Sequence, residues 1–113
     1  MNRALYAAYA TGVAGSSMLI LYIGDGIIAG MDIGTGRYDG TFAEKPDGGI
    51  HGIINFTIAP GRPMITGGVA PPDMPPVAVP FDFPKGFDEG NVVSMQTPFG
   101  PLNLRFEKVR DLP

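Results

Sequence analysis

Between Ser16 and Ala59 the chain is cut into short apolar runs by turns, each with its own chemistry. Asp25-Gly26 separates LILYI from IIAGMDI, Gly34-Thr35-Gly36 divides the next pair of runs, and Pro46-Asp47-Gly48-Gly49 the one after. Asp-Gly suits a two-residue type I′ hairpin, in which both central residues need positive φ. Pro presets φ at the first position of a turn, and Gly accepts the left-handed one. These breaks recur about every ten or eleven residues, the spacing of an all-β sandwich or barrel. No stretch of a dozen residues shows helical i, i+3, i+4 periodicity. The expectation is an antiparallel meander through Ala59.

The remaining segments extend that pattern. Ala4 to Gly24 carries no charge, but Gly12, Gly15, Ser16 and Ser17 interrupt it. We therefore expect two strands there, the first from Arg3 to about Thr11, rather than a leader or a membrane anchor. In the fifth strand Ile50, Gly52, Ile54, Phe56 and Ile58 share one face, and His51, Ile53, Asn55 and Thr57 the other. Pro63 to Ala70 reads as a short, twisted sixth strand. Pro71 to Pro76 has four prolines in six residues and reads as an extended surface segment. Val77 to Phe83 alternates with Val79, Phe81 and Phe83 on one side, and Pro80 assigns it to an edge or a bulge. Asn91–Thr97 and Leu102–Val109 form a closing hairpin. Ten of the twelve prolines fall between Pro60 and Pro101, so the proline content marks one irregular connection rather than disorder. The fold expected is a small closed up-and-down antiparallel barrel of about eight strands, a single domain over residues 1–113, because closure removes unpaired edges.

Little in the composition points to chemistry. The chain has no cysteine, which excludes thiolate metal sites and thiol nucleophiles and suits a reducing cytoplasm. Its formal charge of −3, with Lys and Arg scattered singly, argues against direct nucleic-acid binding. His51, the sole histidine, has no ligand-spaced neighbours. Asp25, Asp32 and Asp39 recur at sevens but fall on a turn and two strands, and Asp32 is expected to accept local backbone N–H bonds. Gly24-Asp25-Gly26 precedes a strand and not a helix, so it is no phosphate loop. Ser16-Ser17 lacks a base, and Asp88-Glu89 reads as a solvated loop. No catalytic group, metal or cofactor is expected. The inward set, including Leu19, Tyr38, Phe42, Phe56, Phe81 and Phe106, is bulky, which predicts a filled interior with gaps only at Gly40 and Gly52. Ile28, Ile53 and Val92 are expected to face outward.

GDGIIAGMDIGTGRYDGTF combines a glycine-bounded hairpin, Gly30 and Asp32 two apart, and Tyr38-x-Gly40 opening the next strand. With the closing TPFGPLNLRFEKVRDL, it resembles the GrlR family, small cytoplasmic negative regulators of type III secretion. That resemblance implies an eight-stranded, lipocalin-like barrel, a homodimer and a non-enzymatic role. The founding member sequesters a transcriptional activator through an acidic Glu-Asp-Glu-Asp stretch. Carried over by position, that stretch falls on Glu44, Lys45, Pro46 and Asp47, where two of the four carboxylates remain. The function expected is protein–protein association, with Glu44 and Asp47 marking the family's docking position and no membrane involvement. The alternative is a carrier or sensor of a small apolar ligand held inside the barrel. An enzyme would need convergent polar groups within that interior.

Overall fold

The computed structural model describes residues 2–113. Eight strands follow one another: β1 (Ala4–Gly12), β2 (Gly15–Gly24), β3 (Ile27–Asp32), β4 (Arg37–Glu44), β5 (Ile50–Thr57), β6 (Val77–Phe83), β7 (Val92–Thr97) and β8 (Gly100–Asp111). They form one antiparallel sheet in the order β6-β5-β4-β3-β2-β1-β8-β7, rolled into a nearly closed barrel. No helix occurs among the described residues, hence none long and apolar enough to cross a membrane.

The turns work as their residues dictate. Asp25 and Gly26 have φ of 52° and 75°, the two positive values of a type I′ hairpin between Gly24 and Ile27. Lys45 to Gly49 closes the β4–β5 hairpin, with Gly48 at φ 96° and the Gly49 N–H donating to Asp47 Oδ1 at 2.9 Å.

Curvature comes from glycines inside β3, β4 and β5. Gly30, Gly40 and Gly52 occupy inward positions: Gly30 pairs with Tyr38, two residues before Gly40, and Gly40 pairs with Ile54, two residues after Gly52. A Cβ at each would strike a carbonyl of the neighbouring strand: Ile20, Ile53 and Thr41 respectively. These glycines therefore form a diagonal line along which tilted strands come unusually close and the sheet bends. Gly40 and Gly52 are not gaps in the interior, as expected above, because neighbouring backbone occupies the place of their side chains.

The barrel departs from full hydrogen-bonded closure at one seam. The sequence-distant pair β1 and β8 is joined along its length, with a bulge at Leu5/Tyr6, while the consecutive strands β6 and β7 share no ladder. Pro80, which lacks an N–H, lies in the edge strand β6 as its residue type demands. The connection between β6 and β7 fills this end of the seam with a side chain. Phe87 is buried against Phe83 and Phe106, with ring centroids 5.7 and 5.5 Å apart, and Tyr6 packs edge-on to Phe106. Asp88 is not fully solvated, as expected above, because it accepts the Tyr6 hydroxyl at 3.0 Å.

Two other expectations are corrected. Residues 63–70 do not form a strand; an isolated bridge from Pro63 to Val69 is their only ladder contact, since Gly67 and Gly68 take φ of 107° and 79°. Ile28 faces inward, paired with Ile23 and Gly40, and is buried. The two-residue Asp25-Gly26 turn sets this register, and one residue of shift exchanges the faces of a strand. Ile53 and Val92 are exposed as expected.

Candidate functional site

The interior has two unlike ends. At one, Tyr6, Phe83, Phe87 and Phe106 fill the barrel with aromatic rings. Toward the other, small inward residues leave room: Ala8 and Ala10 on β1 and Ser17 on β2 stand where larger side chains would meet at the centre. The result is a cavity of about 130 Å³, walled by residues such as Leu19, Leu21, Ile54, Met95 and Leu104. The interior expected to be filled is thus filled at only one end.

The long β5–β6 connection roofs the cavity. Its 61–70 segment is a small irregular hairpin held by Gly61 N–H to Ala70 O and Ala70 N–H to Arg62 O, both 2.9 Å. Pro63, Met64, Ile65 and Thr66 face the cavity, and the Ala14 N–H donates to Ile65 O at 2.7 Å, tying the hairpin to the β1–β2 turn.

A polar pair stands at this end. Asp32 Oδ1 accepts the N–H groups of Gly34 and Gly36, both at 2.8 Å, as expected for an aspartate that shapes its own turn. Asp32 Oδ2 accepts the Tyr38 hydroxyl at 2.6 Å. Burial, then the hydrogen bond to that carboxylate, pushes the Tyr38 phenol far above its ordinary range, so it stays protonated. Gly30, Asp32, Tyr38 and Gly40 are therefore brought together by structure: two glycines bend the sheet, and the Asp–Tyr pair braces the β3–β4 turn. Within that turn Thr35 sits at φ 71°, an outlier for a β-branched residue, and its buried hydroxyl has no hydrogen-bond partner.

The outer wall is equally asymmetric. Outward positions of β1, β2 and β3 carry Leu5, Ala7 and Tyr9, then Met18, Ile20 and Tyr22, then Ile27, Ala29 and Met31. None is charged. Ile20 is 46% exposed, Met31 48% and the adjoining Ile33 74%. Charges begin on the next strands out: Arg105, Glu107 and Arg110 on β8, Arg37 and Asp39 on β4. An open groove with Tyr9, Met18, Ile33 and Val92 on its sides continues this face, and the Arg105 guanidinium stacks 4.7 Å from the Tyr9 ring centroid.

The segment Glu44 to Asp47, onto which the resemblance carries an acidic stretch, is built as the end of β4 and the turn after it. Asp47 spends a carboxylate oxygen on its own turn, and Lys45 pairs with Asp82 of β6, which holds the lysine's pKa above its usual value. His51 is exposed on the outer face, and the described residues contain no cluster of His, Cys, Asp or Glu able to hold a metal ion. Asp25 and Asp32 lie at opposite ends of β3's span, so the three aspartates do not converge. Sequence reasoning missed Phe87, a lone aromatic in a Gly/Pro-rich loop, and the cavity, whose only sequence signal was the run of inward alanines.

No family model, no curated protein and no solved structure matches this chain.

Proposed function

We propose that this protein is a non-enzymatic interaction module that works in the cytoplasm as a homodimer and binds a regulatory protein, as GrlR-type negative regulators do. One observation carries the reading: the uncharged outer face of β1–β3, with exposed Ile20, Ile27, Met31 and Ile33, bordered on both sides by charge. An apolar centre with a polar rim is the anatomy of a protein interface, and large exposed apolar patches mark interaction surfaces. The charge pattern favours a second copy as occupant. Register rows run Arg110–Leu5–Tyr22–Ala29–Asp39 and Glu107–Ala7–Ile20–Met31–Arg37, centred on β2. A two-fold axis along β2 sets the Arg110 side of one subunit toward the Asp39 side of the other, and the Glu107 side toward the Arg37 side. Opposite signs at a rim steer encounter and select the partner. The resemblance in Gly30, Asp32, Tyr38 and Gly40 supports the same reading.

Sedimentation equilibrium tests it. The 11.9 kDa chain is expected to run as a dimer at micromolar concentration, and Ile20→Lys as a monomer with its β-rich circular dichroism intact. A wild-type chain that stays monomeric under those conditions refutes the reading.

A further inference from the structure

The cavity has no part in association through the outer wall, yet it is organised for an occupant. We infer that it binds a small neutral molecule of one ring carrying a single hydrogen-bond donor, of the phenol class. Three observations lead there, and none depends on the dimer reading.

Size comes first. A volume of about 130 Å³ is that of one six-membered ring with a small substituent, and apolar cavities near ~150 Å³ take up benzene or xenon rather than water. A fatty acyl chain is too long for it. Charge comes second. No lysine, arginine or histidine lines the cavity, and its one acidic side chain is Asp32. An anionic head group would have to lie beside that carboxylate with no cation to offset it, a large desolvation cost. This excludes carboxylic acids as a class.

Hydrogen-bonding capacity comes third. A carboxylate offers about four lone-pair sites. Asp32 uses three, for Gly34, Gly36 and Tyr38, and the Tyr38 hydroxyl, whose hydrogen is engaged in donating to Asp32, has only acceptor capacity left for a ligand. The polar pair facing the cavity therefore accepts and does not donate. A ligand hydroxyl or ring N–H satisfies this pair and a ligand carbonyl does not, while the Ser17 and Thr66 hydroxyls elsewhere on the wall can serve as donor or acceptor. Entry follows the roof, because the 61–70 hairpin meets the barrel turn through Ala14 N–H to Ile65 O, while a Cβ added at its Gly67 or Gly68 would meet nothing within 4 Å.

Methyl-detected NMR titration of the full chain with phenol, benzene and benzoate tests the assignment. Phenol is expected to shift the methyl signals of Leu19, Leu21, Ile54 and Leu104 with Kd on the order of 0.1–1 mM. Benzene should bind the same methyls several-fold more weakly, and benzoate at least about tenfold more weakly than phenol. Tyr38→Phe combined with Asp32→Ala, which removes both acceptors, should keep benzene binding and abolish the preference for phenol. Ala10→Leu, which fills the cavity, should remove both; if either variant does not fold, the ligand series decides alone. Benzoate binding as tightly as phenol overturns the inference. So does a phenol preference that survives the Asp32→Ala, Tyr38→Phe pair, shifts confined to the outer-wall Ile20 and Ile27, or no shift with any of the three.

Discussion

Gly52→Ala measures directly what bends this barrel. The new Cβ would lie 2.8 Å from the Phe42 Cα and 2.9 Å from the Thr41 carbonyl carbon, and nearer still to the Thr41 oxygen. Non-bonded carbons rest at about 3.5–4.0 Å, so β4 and β5 must part by roughly 0.7–1 Å at this point. The obstructing atoms are backbone, and no rotamer change relieves them. Overpacking of this kind costs about 1–3 kcal/mol, and more when strands must move. Replacing a strand-interior glycine by alanine otherwise gains about 0.5–1 kcal/mol through the unfolded chain. The clash wins, and we expect a net loss of about 2 kcal/mol, or a Tm roughly 8 °C lower for a domain of this size. Urea denaturation with an unchanged m-value, paired with calorimetry, reads that loss as stability alone. Gly61→Ala separates the alternative cause: its φ is +79° and the new Cβ would meet nothing within 4 Å, so it carries backbone strain without a clash and should lose about 1 kcal/mol. A Gly52→Ala protein as stable as wild type, or more stable, would refute the close-approach account of Gly30, Gly40 and Gly52 together.

Thr35→Gly should stabilise the fold by about 1 kcal/mol, because it relieves a positive φ and removes a buried hydroxyl without a partner; a lower midpoint in urea would show that the strain is compensated elsewhere. Burial, then the carboxylate hydrogen bond, raises the phenols of Tyr6 and Tyr38 above the ordinary 10.0. The unfolded chain then sheds protons above pH 10 that the folded chain keeps. Stability is full below that pH and falls above it, by about 1.4 kcal/mol per pH unit for each residue, and Tyr6→Phe with Tyr38→Phe should flatten melts taken between about pH 9 and 11.5. Glu44→Ala with Asp47→Ala should leave the dimer dissociation constant within about threefold, as for exposed charges generally, while losing about 1 kcal/mol of stability with the Asp47 bond to Gly49. A double variant that no longer dimerises would place the interface at the β4–β5 tip.

Local chemistry settled the elements of this protein. Asp25-Gly26, Asp47-Gly48 and the Asp32 turn are decided within a few residues, since positive φ and short side-chain hydrogen bonds need no distant partner. Alternation did the same for β5, β6 and β8, where Ile54, Phe81 and Leu104 are buried and Ile53, Asp82 and Arg105 exposed. Alternation failed where both faces are apolar. In β3, Ile27 and Ile28 are equally hydrophobic, and only pairing across the hairpin decides that Ile28 goes in. Closure was expected, but the place of the seam was beyond local reading: that β1 pairs with β8 while β6 and β7 stay unladdered depends on contacts between opposite ends of the chain. The same holds for Gly30, Gly40 and Gly52, which look like flexible points in one dimension but are sites of backbone contact in three. The cavity is the sum of many inward side chains from several strands, and a sum of volumes across a barrel appears only when the strands are assembled.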